Sequence, residues 1–566
     1  MKKNNIIKFM TLCFGAVALA SCDEYLDELP DDRAELDTEL KITQLLVSAY
    51  PSCTNSLVAE FMSDNVDDNG RGYSAPVILE DLYKFKDTSE EGNDTPYFIW
   101  NGYYASVATV NQALEAAEAL GNPVSLRGSI AEAKLIRAYS MFNLAYIFCM
   151  AYDEATADTY MGLPYPLVPE QDINTHYERG TLRQLYEAID KDIEEALPYI
   201  REAEAGYAIP KYHFTARAAY AFAARFNLFY NRWEKAVEYA NEALGSDPTA
   251  FMRDYEPYRE LGSQDFFNLW IRSSDQANLM MIAAYSISPR YQSSTYRYAH
   301  NYTMTAYETY WVDGPWGSGS DENSIIYANK MYGSNQIIMF PSYFESFEYT
   351  DKVAGIGYTH SVYPAFTGDL TLLDRAEALI LLKRYDEAMR DINTWIGTHC
   401  KDKYETDDDT NTQVLKRAAP GTLTVADIDT FMVHLDYAKR TPEGRLDRSM
   451  RKHMHPQGFT IDSEGSDQEC LLQFLLHMRR IESVRYGYRF GDVKRYGIEY
   501  AHLNSYEDPN VFIAGDLRGA VQIPQTVITA GLPGNPRMDE AELKAYLERT
   551  EAEYATPEDE DEDNGE

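Results

Sequence analysis

Two stretches of this chain repeat one pattern that leaves few folds open to it. Residues 215–230 with 232–244, and again 371–383 with 385–396, each read as a helix, a tight turn and a second helix. In the first pair Ala218, Ala219, Ala223 and Ala224 put small side chains on one face, and Trp233, Ala236, Ala240 and Ala243 offer the complementary surface. In the second pair Ala376 and Ala378 precede Tyr385, Ala388 and Ile392. No helix of such a pair buries its apolar face alone, so the pairs must stack on one another or on further helices. Candidates for those are present. From Trp100, residues Tyr104, Val107, Asn111 and Leu114 share one helical face until Gly121 and Pro123 end the run. Ser129 with Glu132, and Thr181 with Gln184, have the spacing of capping boxes ahead of the apolar runs Leu135, Tyr139, Phe142, Tyr146 and Leu185, Ile189, Ile193, Ala196.

The small–large alternation of the pairs resembles tetratricopeptide repeats. The units are unevenly spaced and long insertions separate them. The predicted fold is therefore mostly α: tetratricopeptide-like helix pairs forming a scaffold, with a loop-rich, irregular ligand-binding region near 291–366 and few short strands. No Gly/Ser-rich or Pro-rich linker divides residues 40–537, which predicts one domain there.

The first residues carry an address. Lys2, Lys3 and Lys8 precede a run from Phe9 to Ala20 that is apolar apart from Thr11, and Leu19-Ala20-Ser21-Cys22 has the form of a lipobox. Residues 1–21 are expected to be a lipoprotein signal peptide and Cys22 the acylated first residue of the exported chain. Several acyl chains on one cysteine anchor firmly, each buried methylene contributing about 0.8 kcal/mol. The remaining cysteines, Cys53, Cys149, Cys400 and Cys470, lack the spacing of a disulfide framework or zinc site and are expected as free, mostly buried thiols. Loss of three lysines and no acid on processing moves the formal charge from −39 to −42. So acidic a surface repels nucleic acid and anionic lipid. Part of the excess is local, in a tether over 22–39 that includes Asp23, Glu24, Asp27, Glu28, Asp31 and Asp32, and in a tail over 538–566 that includes the unbroken run Glu558–Asp563.

Residues 291–316 contain Tyr291, Tyr296, Tyr298, Tyr302, Tyr307, Tyr310, Trp311 and Trp316, where the chain's 13% aromatic content predicts between three and four rings. They sit among polar residues and glycines without helical period, and Gly314-Pro315-Trp316-Gly317-Ser318-Gly319 reads as a loop. Such rings either pack loops onto helices or offer faces on which the C–H surface of a sugar stacks. Asp64-Asn65-Val66-Asp67-Asp68-Asn69-Gly70 has the alternating oxygens of the first half of a calcium loop. Pro76, however, stands where the bidentate glutamate belongs, so a polar loop near a ligand is expected; a calcium site of another kind stays open without being predicted, and no other cofactor is predicted. His453 and His455 could share a metal but have no identifiable third ligand. The chain has no His-Glu-x-x-His, Gly-x-Ser-x-Gly or Cys-x-x-Cys motif and no phosphate-binding glycine loop. A glycosidase carboxylate pair has no fixed spacing and stays open as an alternative.

Taken in order, several segments resemble the SusD/RagB family of nutrient-binding outer-membrane lipoproteins of Bacteroidota. They are Tyr25-Leu26-Asp27 with Pro30 after the lipobox, Trp100-Asn101-Gly102-Tyr103-Tyr104 with Asn111, Glu132 to Tyr139, Gly162-Leu163-Pro164-Tyr165-Pro166, and Arg375-Ala376-Glu377-Ala378-Leu379. The most specific is Arg479-Arg480-Ile481-Glu482 with Arg485, Gly487, Arg489, Asp492, Lys494-Arg495 and Gly497, followed by Ile523-Pro524 and Asn535-Pro536. The alternating charges of that run predict buried arginine–carboxylate pairs that fix geometry and carry no chemistry. The resemblance implies a non-enzymatic, cell-surface lipoprotein of the outer membrane that captures oligosaccharide or polysaccharide and delivers it to a TonB-dependent SusC-like transporter. The RagB branch implies peptide capture as the alternative. Ligand contacts are carried by composition to Asp68, Asn69, Tyr73, Tyr291, Tyr296, Tyr310, Trp311 and Trp316.

Overall fold

The computed structural model describes residues 36–550 apart from 173–174, 294–295, 320–322, 326, 328–331, 335–336, 408, 440–447 and 506. The signal peptide, Cys22, the acidic run after it and the run Glu558–Asp563 lie outside the described residues.

The fold is mostly helical, with small two- and three-stranded antiparallel sheets. The scaffold helices are α1 (Pro96–Ala119), α2 (Arg127–Phe148), α3 (Leu182–Ala196), α4 (Ala216–Phe229), α5 (Trp233–Leu244), α6 (Gly368–Leu381), α7 (Tyr385–His399), α8 (Asp467–Ser483) and α9 (Tyr488–Tyr496). Each of α1 to α7 packs on a helix next to it in the series, and α6 also lies against α8. Both sequence-predicted pairs form, α4 with α5 and α6 with α7. Their turns are the same Schellman motif. Asn231 and Lys383 take left-handed φ of 58° and 59°. The Asn231 and Arg232 amides donate to Leu228 and Asn227 carbonyls, and those of Lys383 and Arg384 to Ile380 and Leu379. The alanines of the first pair are all buried, which allows the close approach expected of them.

The pairs share a polar clamp as well. On α2, Arg137 makes a bidentate contact with Asp192 of α3 at 2.7 and 2.8 Å and donates to Asn111 of α1 at 2.8 Å. On α6, Arg375 does the same with Asp391 of α7, at 2.8 and 2.7 Å, and with Asn241 of α5 at 2.8 Å. Each arginine thus ties its own helix to the one before and the one after. Tyr165 and Pro166 join the first clamp, since the Tyr165 hydroxyl donates to Asp192 and Asn111 donates to the Pro166 carbonyl.

One expectation is corrected by the fold and two gain detail. Thr181 and Gln184 form their capping box, but Ser129 lies inside α2, and Glu132 instead accepts from the Tyr50 hydroxyl and sits 2.8 Å from His213 Nδ1. The region 291–366 is not all loop, because β2 (Ser346–Asp351) and β3 (Ile356–Thr367) form a long hairpin that pairs with β1 (Asn278–Ala284) in the order β1-β3-β2. Alternating side chains along those strands carry that signal better than a search for helices does. The expected tail begins with a helix, Glu540–Arg549, closed by an Asp539/Glu542 capping box. Cys53, Cys149, Cys400 and Cys470 are free and buried, as expected.

The charged run of α8 and α9 is buried and paired, as its pattern predicts, with three exceptions. Arg479 reaches Asp492 in bidentate fashion and Glu377 of α6, to which Arg495 also donates at 2.7 Å and Tyr496 at 2.6 Å. Arg480 binds Glu308 at 3.0 Å and Asn65 at 2.7 Å, while Arg489 grips both Asp64 oxygens at 2.7 and 2.9 Å. The exceptions are Arg485, whose guanidinium donates to the Gln292 and Ile338 carbonyls, Lys494, whose ammonium donates to the Tyr146 and Cys149 carbonyls, and Glu482, which meets His399. Gly487 between the helices has φ 78° and a Cβ there would meet Ala59 Cβ at 2.7 Å, so only glycine fits.

Burial alone would raise the Glu377 carboxyl, but Arg479 and Arg495 outweigh it and hold it down to about 2. Its neighbour Asp492 shares Arg479 yet is shifted upward, by burial and by the Glu377 charge, so Glu377 is the depressed member of the pair. A depressed carboxyl stabilises the fold above its unfolded value, about 4.3, and that contribution is lost as pH falls toward the folded value. Denaturant titrations should therefore show stability falling between about pH 4.3 and 2, and Glu377→Gln should flatten that dependence. Glu377→Ala, which takes away the buried carboxylate that Arg479 and Arg495 share, should cost about 3–5 kcal/mol at neutral pH.

Candidate functional site

The loop after Asp64 and the segment 296–301 come together although more than 220 positions separate them. Asp67 and Asp68 pair antiparallel with Ala299 and Tyr298. The Asn69 amide donates to the Arg297 carbonyl at 2.7 Å, and the Arg297 amide to the Ser74 carbonyl at 2.8 Å. Side chains then lock the junction. Arg297 makes a bidentate contact with Asp68 at 2.8 and 2.7 Å, and Asp68 also accepts the Gly70 and Ser505 amides. Asn69 donates to the Tyr296 carbonyl at 3.1 Å and accepts from Asn301 at 3.0 Å. Burial works to raise the Asp68 carboxyl, but the Arg297 and amide hydrogen bonds prevail and hold it below the usual carboxylate range. Gly70, at φ 96°, supplies the left-handed turn that lets the loop double back.

This bracing decides what the expected ligand residues can do. The Asp68 side chain is only 2% exposed, so it positions the loop and offers no acceptor outward. Tyr73, Tyr291 and Tyr296 remain half-buried. Tyr291 and Tyr296 meet edge to face with ring centroids 5.3 Å apart, and Ser74, next to Tyr73, bridges to Tyr296. Trp311 is half-buried against Tyr302, at 5.4 Å between centroids. The two remaining rings are corrected. Tyr310 is 2% exposed and donates its hydroxyl to the Ile481 carbonyl at 2.6 Å. Trp316 is 1% exposed and wedged between Trp395, Phe474 and His477. Both belong to the core, and neither has a face to stack on a ligand. The turn-rich sequence around Trp316 describes its backbone correctly, but the loop folds back onto α7 and α8.

Exposed rings that the sequence reading passed over lie close by in the chain. Tyr302 is 44% exposed, Tyr307 59%, and the hairpin presents Phe347 and Tyr349 at 49% and 52%. The enrichment of the whole segment was the available signal; it does not sort exposed rings from buried ones. The half-calcium loop is a hub of ion pairs: Asp64 binds Arg489 and Lys452, Asp67 binds Arg448 and Asp68 binds Arg297. His453 Nδ1 lies 2.6 Å from Glu464. A concave groove of about 320 Å³ lies elsewhere, lined by Trp100, Tyr104, Tyr177, Pro164, Pro166 and Leu532 among others, and none of the sequence-expected ligand residues borders it. The tyrosine face is thus separate from that groove.

Residues 24–228 match the family model SusD-like_3, described as starch-binding associating with outer membrane. A comparison with curated sequences returns no match. Solved structures share the fold over most of the chain. A SusD superfamily protein from Bacteroides thetaiotaomicron is 17% identical, with a TM-score of 0.55 over 88% of this chain and 98% of its own. A SusD-like carbohydrate binding protein from Bacteroides vulgatus is 13% identical, with a TM-score of 0.58 over 86% and 95%. A SusD-like protein from Bacteroides fragilis is 14% identical, with a TM-score of 0.55 over 90% and 99%.

Trp316→Ala should lower stability by about 3–5 kcal/mol, the range for emptying an aromatic site in a core, as measured by chemical denaturation. Tyr291→Ala should change it by less than about 1 kcal/mol, as expected of a half-buried ring.

Proposed function

We propose that this chain, a SusD-like family protein by its matched N-terminal region and its fold, is a cell-surface carbohydrate-binding lipoprotein that hands glycan to a SusC-like TonB-dependent transporter. The observation that carries the reading is the tyrosine face: Tyr291 and Tyr296 in edge-to-face contact, with Tyr73 beside them, on a loop junction made rigid by the Asp68–Arg297 contact. Rings held in place lose little freedom on binding, so stacking on a sugar is not offset by ordering the site. A face set apart from the groove suits the interior of a polymer better than its end, which would seek a closed pocket. Trp311, with the exposed Tyr302, extends the reading to a second patch.

Three carboxylates on the segments around this face are engaged by arginine. Asp67, Asp68 and Glu345 are held by Arg448, Arg297 and Arg290 at 2.5, 2.7 and 2.7 Å. Glycoside hydrolysis needs one carboxyl protonated and another free to attack or to activate water, and acids held by guanidinium groups serve neither role. Residues 40–537 act as one helical domain in this reading, tethered through acylated Cys22 to the outer membrane. That association agrees with the description of the matched family, and no described helix is long and apolar enough to cross a membrane. The transporter partner rests on the family resemblance.

Isothermal titration of the purified protein against a panel of neutral oligosaccharides and polysaccharides should find a binder. Tyr291→Ala and Tyr296→Ala should each raise its Kd about tenfold, the equivalent of one lost aromatic contact. Chromatography of the incubated glycan should show no shortened product. Uniformly flat titrations would overturn the reading, and a peptide recovered with the native protein by mass spectrometry would redirect it to peptide capture.

A further inference from the structure

Three helices bring a histidine and two carboxylates together in the core. Asp369 lies in the first turn of α6, His399 ends α7, and Glu482 is near the end of α8, one residue past the carbonyl that receives Tyr310. Their side chains are 0%, 2% and 4% exposed. His399 Nε2 is 2.9 Å from Glu482 Oε2 and 3.8 Å from Asp369 Oδ1, and one ligand-capable atom from each of the three lies within 4.8 Å of the others.

The other ring nitrogen shows which way the imidazole faces. His399 Nδ1 sits 2.9 Å from the Trp395 carbonyl oxygen, which can only accept, so Nδ1 carries a proton. Thr398 Oγ1, whose own proton reaches the Trp395 or Thr394 carbonyl, is 3.0 Å away as a second acceptor. Nε2 then faces two carboxylates, an arrangement satisfied either by a second ring proton donated to Glu482 or by a cation lying between the three groups. Metal-bound histidines show this pattern, with the distal N–H on a carbonyl and the near nitrogen on the ion. Trp395 stacks on the imidazole at 4.0 Å and donates its Nε1–H to Glu482 Oε2 at 3.2 Å, which fixes both partners.

A second observation concerns the Asp369 carboxylate. Asp369 Oδ1 accepts the Arg253 amide at 3.0 Å, but Asp369 Oδ2 is buried and has no hydrogen-bond partner among the described residues. A carboxylate oxygen left in that condition is costly. The nearby guanidinium of Arg253 is engaged elsewhere, by Asp275 at 2.7 Å and Asn278 at 2.7 Å, and lies over the Trp270 ring. Ligand bonds of about 2.0–2.2 Å at the tetrahedral angle put two donor atoms about 3.3–3.6 Å apart. The observed 2.9 and 3.8 Å lie on either side of that spacing, so loading requires small shifts of Glu482 away from and Asp369 toward the imidazole.

We propose that Asp369, His399 and Glu482 form a structural site for one divalent cation, with a nitrogen and carboxylate donor set suited to Zn²⁺. The ion would fasten α6 and α7 to α8 and so anchor the layer on which the aromatic segment rests. No bond-making follows from it. Enclosed ligands exchange their ion through unfolding, so binding is measured by refolding.

The test unfolds the full chain in denaturant with chelator, refolds it with Zn²⁺ or with chelator, removes loose metal by gel filtration, and measures zinc by inductively coupled plasma mass spectrometry. Wild type should retain about one Zn²⁺ per chain and melt several degrees higher than its chelator-refolded counterpart. His399→Gln and Glu482→Gln, which keep hydrogen-bonding groups, should each lose the zinc and the shift, whereas His453→Ala should keep both. Co²⁺-refolded wild type should show visible d–d absorption that His399→Gln lacks. Wild type that carries no more zinc than His399→Gln, or melts identically with Zn²⁺ and chelator, would overturn the proposal. The wild-type comparison stands even where a variant does not fold. Loss of glycan binding does not enter the result.

Discussion

Everything in this structure hangs on buried ions that no single segment can satisfy. Asp64 takes Arg489 and Lys452, Glu308 takes Lys452 and Arg480, and Glu377 takes Arg479 and Arg495. These groups come from the first loop, the aromatic segment, the second helix pair, the segment ahead of α8 that holds Lys452, and the α8–α9 run. Each carries a desolvation cost of several kcal/mol unless its partners arrive in the right geometry. The network therefore acts as a condition on the whole chain. Arrangements in which one segment is misplaced leave a charge uncompensated, and the cost rejects them. Whether such pairs add net stability over apolar residues is a separate matter; their service here is to fix which segments meet.

The consequence reaches the ligand face. Arg480 touches both Asn65 and Glu308, so the start of the 64–74 loop and the aromatic segment are referred to one guanidinium. From there Asp68–Arg297 and the Asn69–Asn301 contact extend the register outward to Tyr73, Tyr291 and Tyr296. A rigid core, a braced loop and open rings form a sequence of decreasing burial. Glycan capture of the kind proposed needs that order, because a stacking platform works when its rings are held before the ligand arrives.

The helix pairs were legible because their information is local. Alanine faces, the Thr181/Gln184 box and the Gly121 stop act within four or five residues, and the structure realises them. The Ser129/Glu132 spacing shows the limit: Tyr50 and His213, distant in sequence, recruit Glu132 and the box never forms. The arginine clamps were half legible. Arg137 and Arg375 lie in segments that resembled the family, but their partners Asp192 and Asp391 are ordinary acids in the sequence until the helices stack.

By itself the sequence determined that helix pairs would form, that charge would be buried in the α8–α9 run, that four thiols would stay unpaired, and that aromatic rings would concentrate near residue 300. The tertiary structure alone decided which rings face out. Trp316 and Tyr310 share the composition of Tyr291 and Tyr296, yet α7 and α8 enclose the first two and the loop junction leaves the others open. It also decided that Asp68 would brace rather than bind, and that Asp369, His399 and Glu482 would meet. The physical reason is range. Periodicity and capping act between neighbours, whereas burial and ion pairing depend on what arrives from elsewhere in the chain.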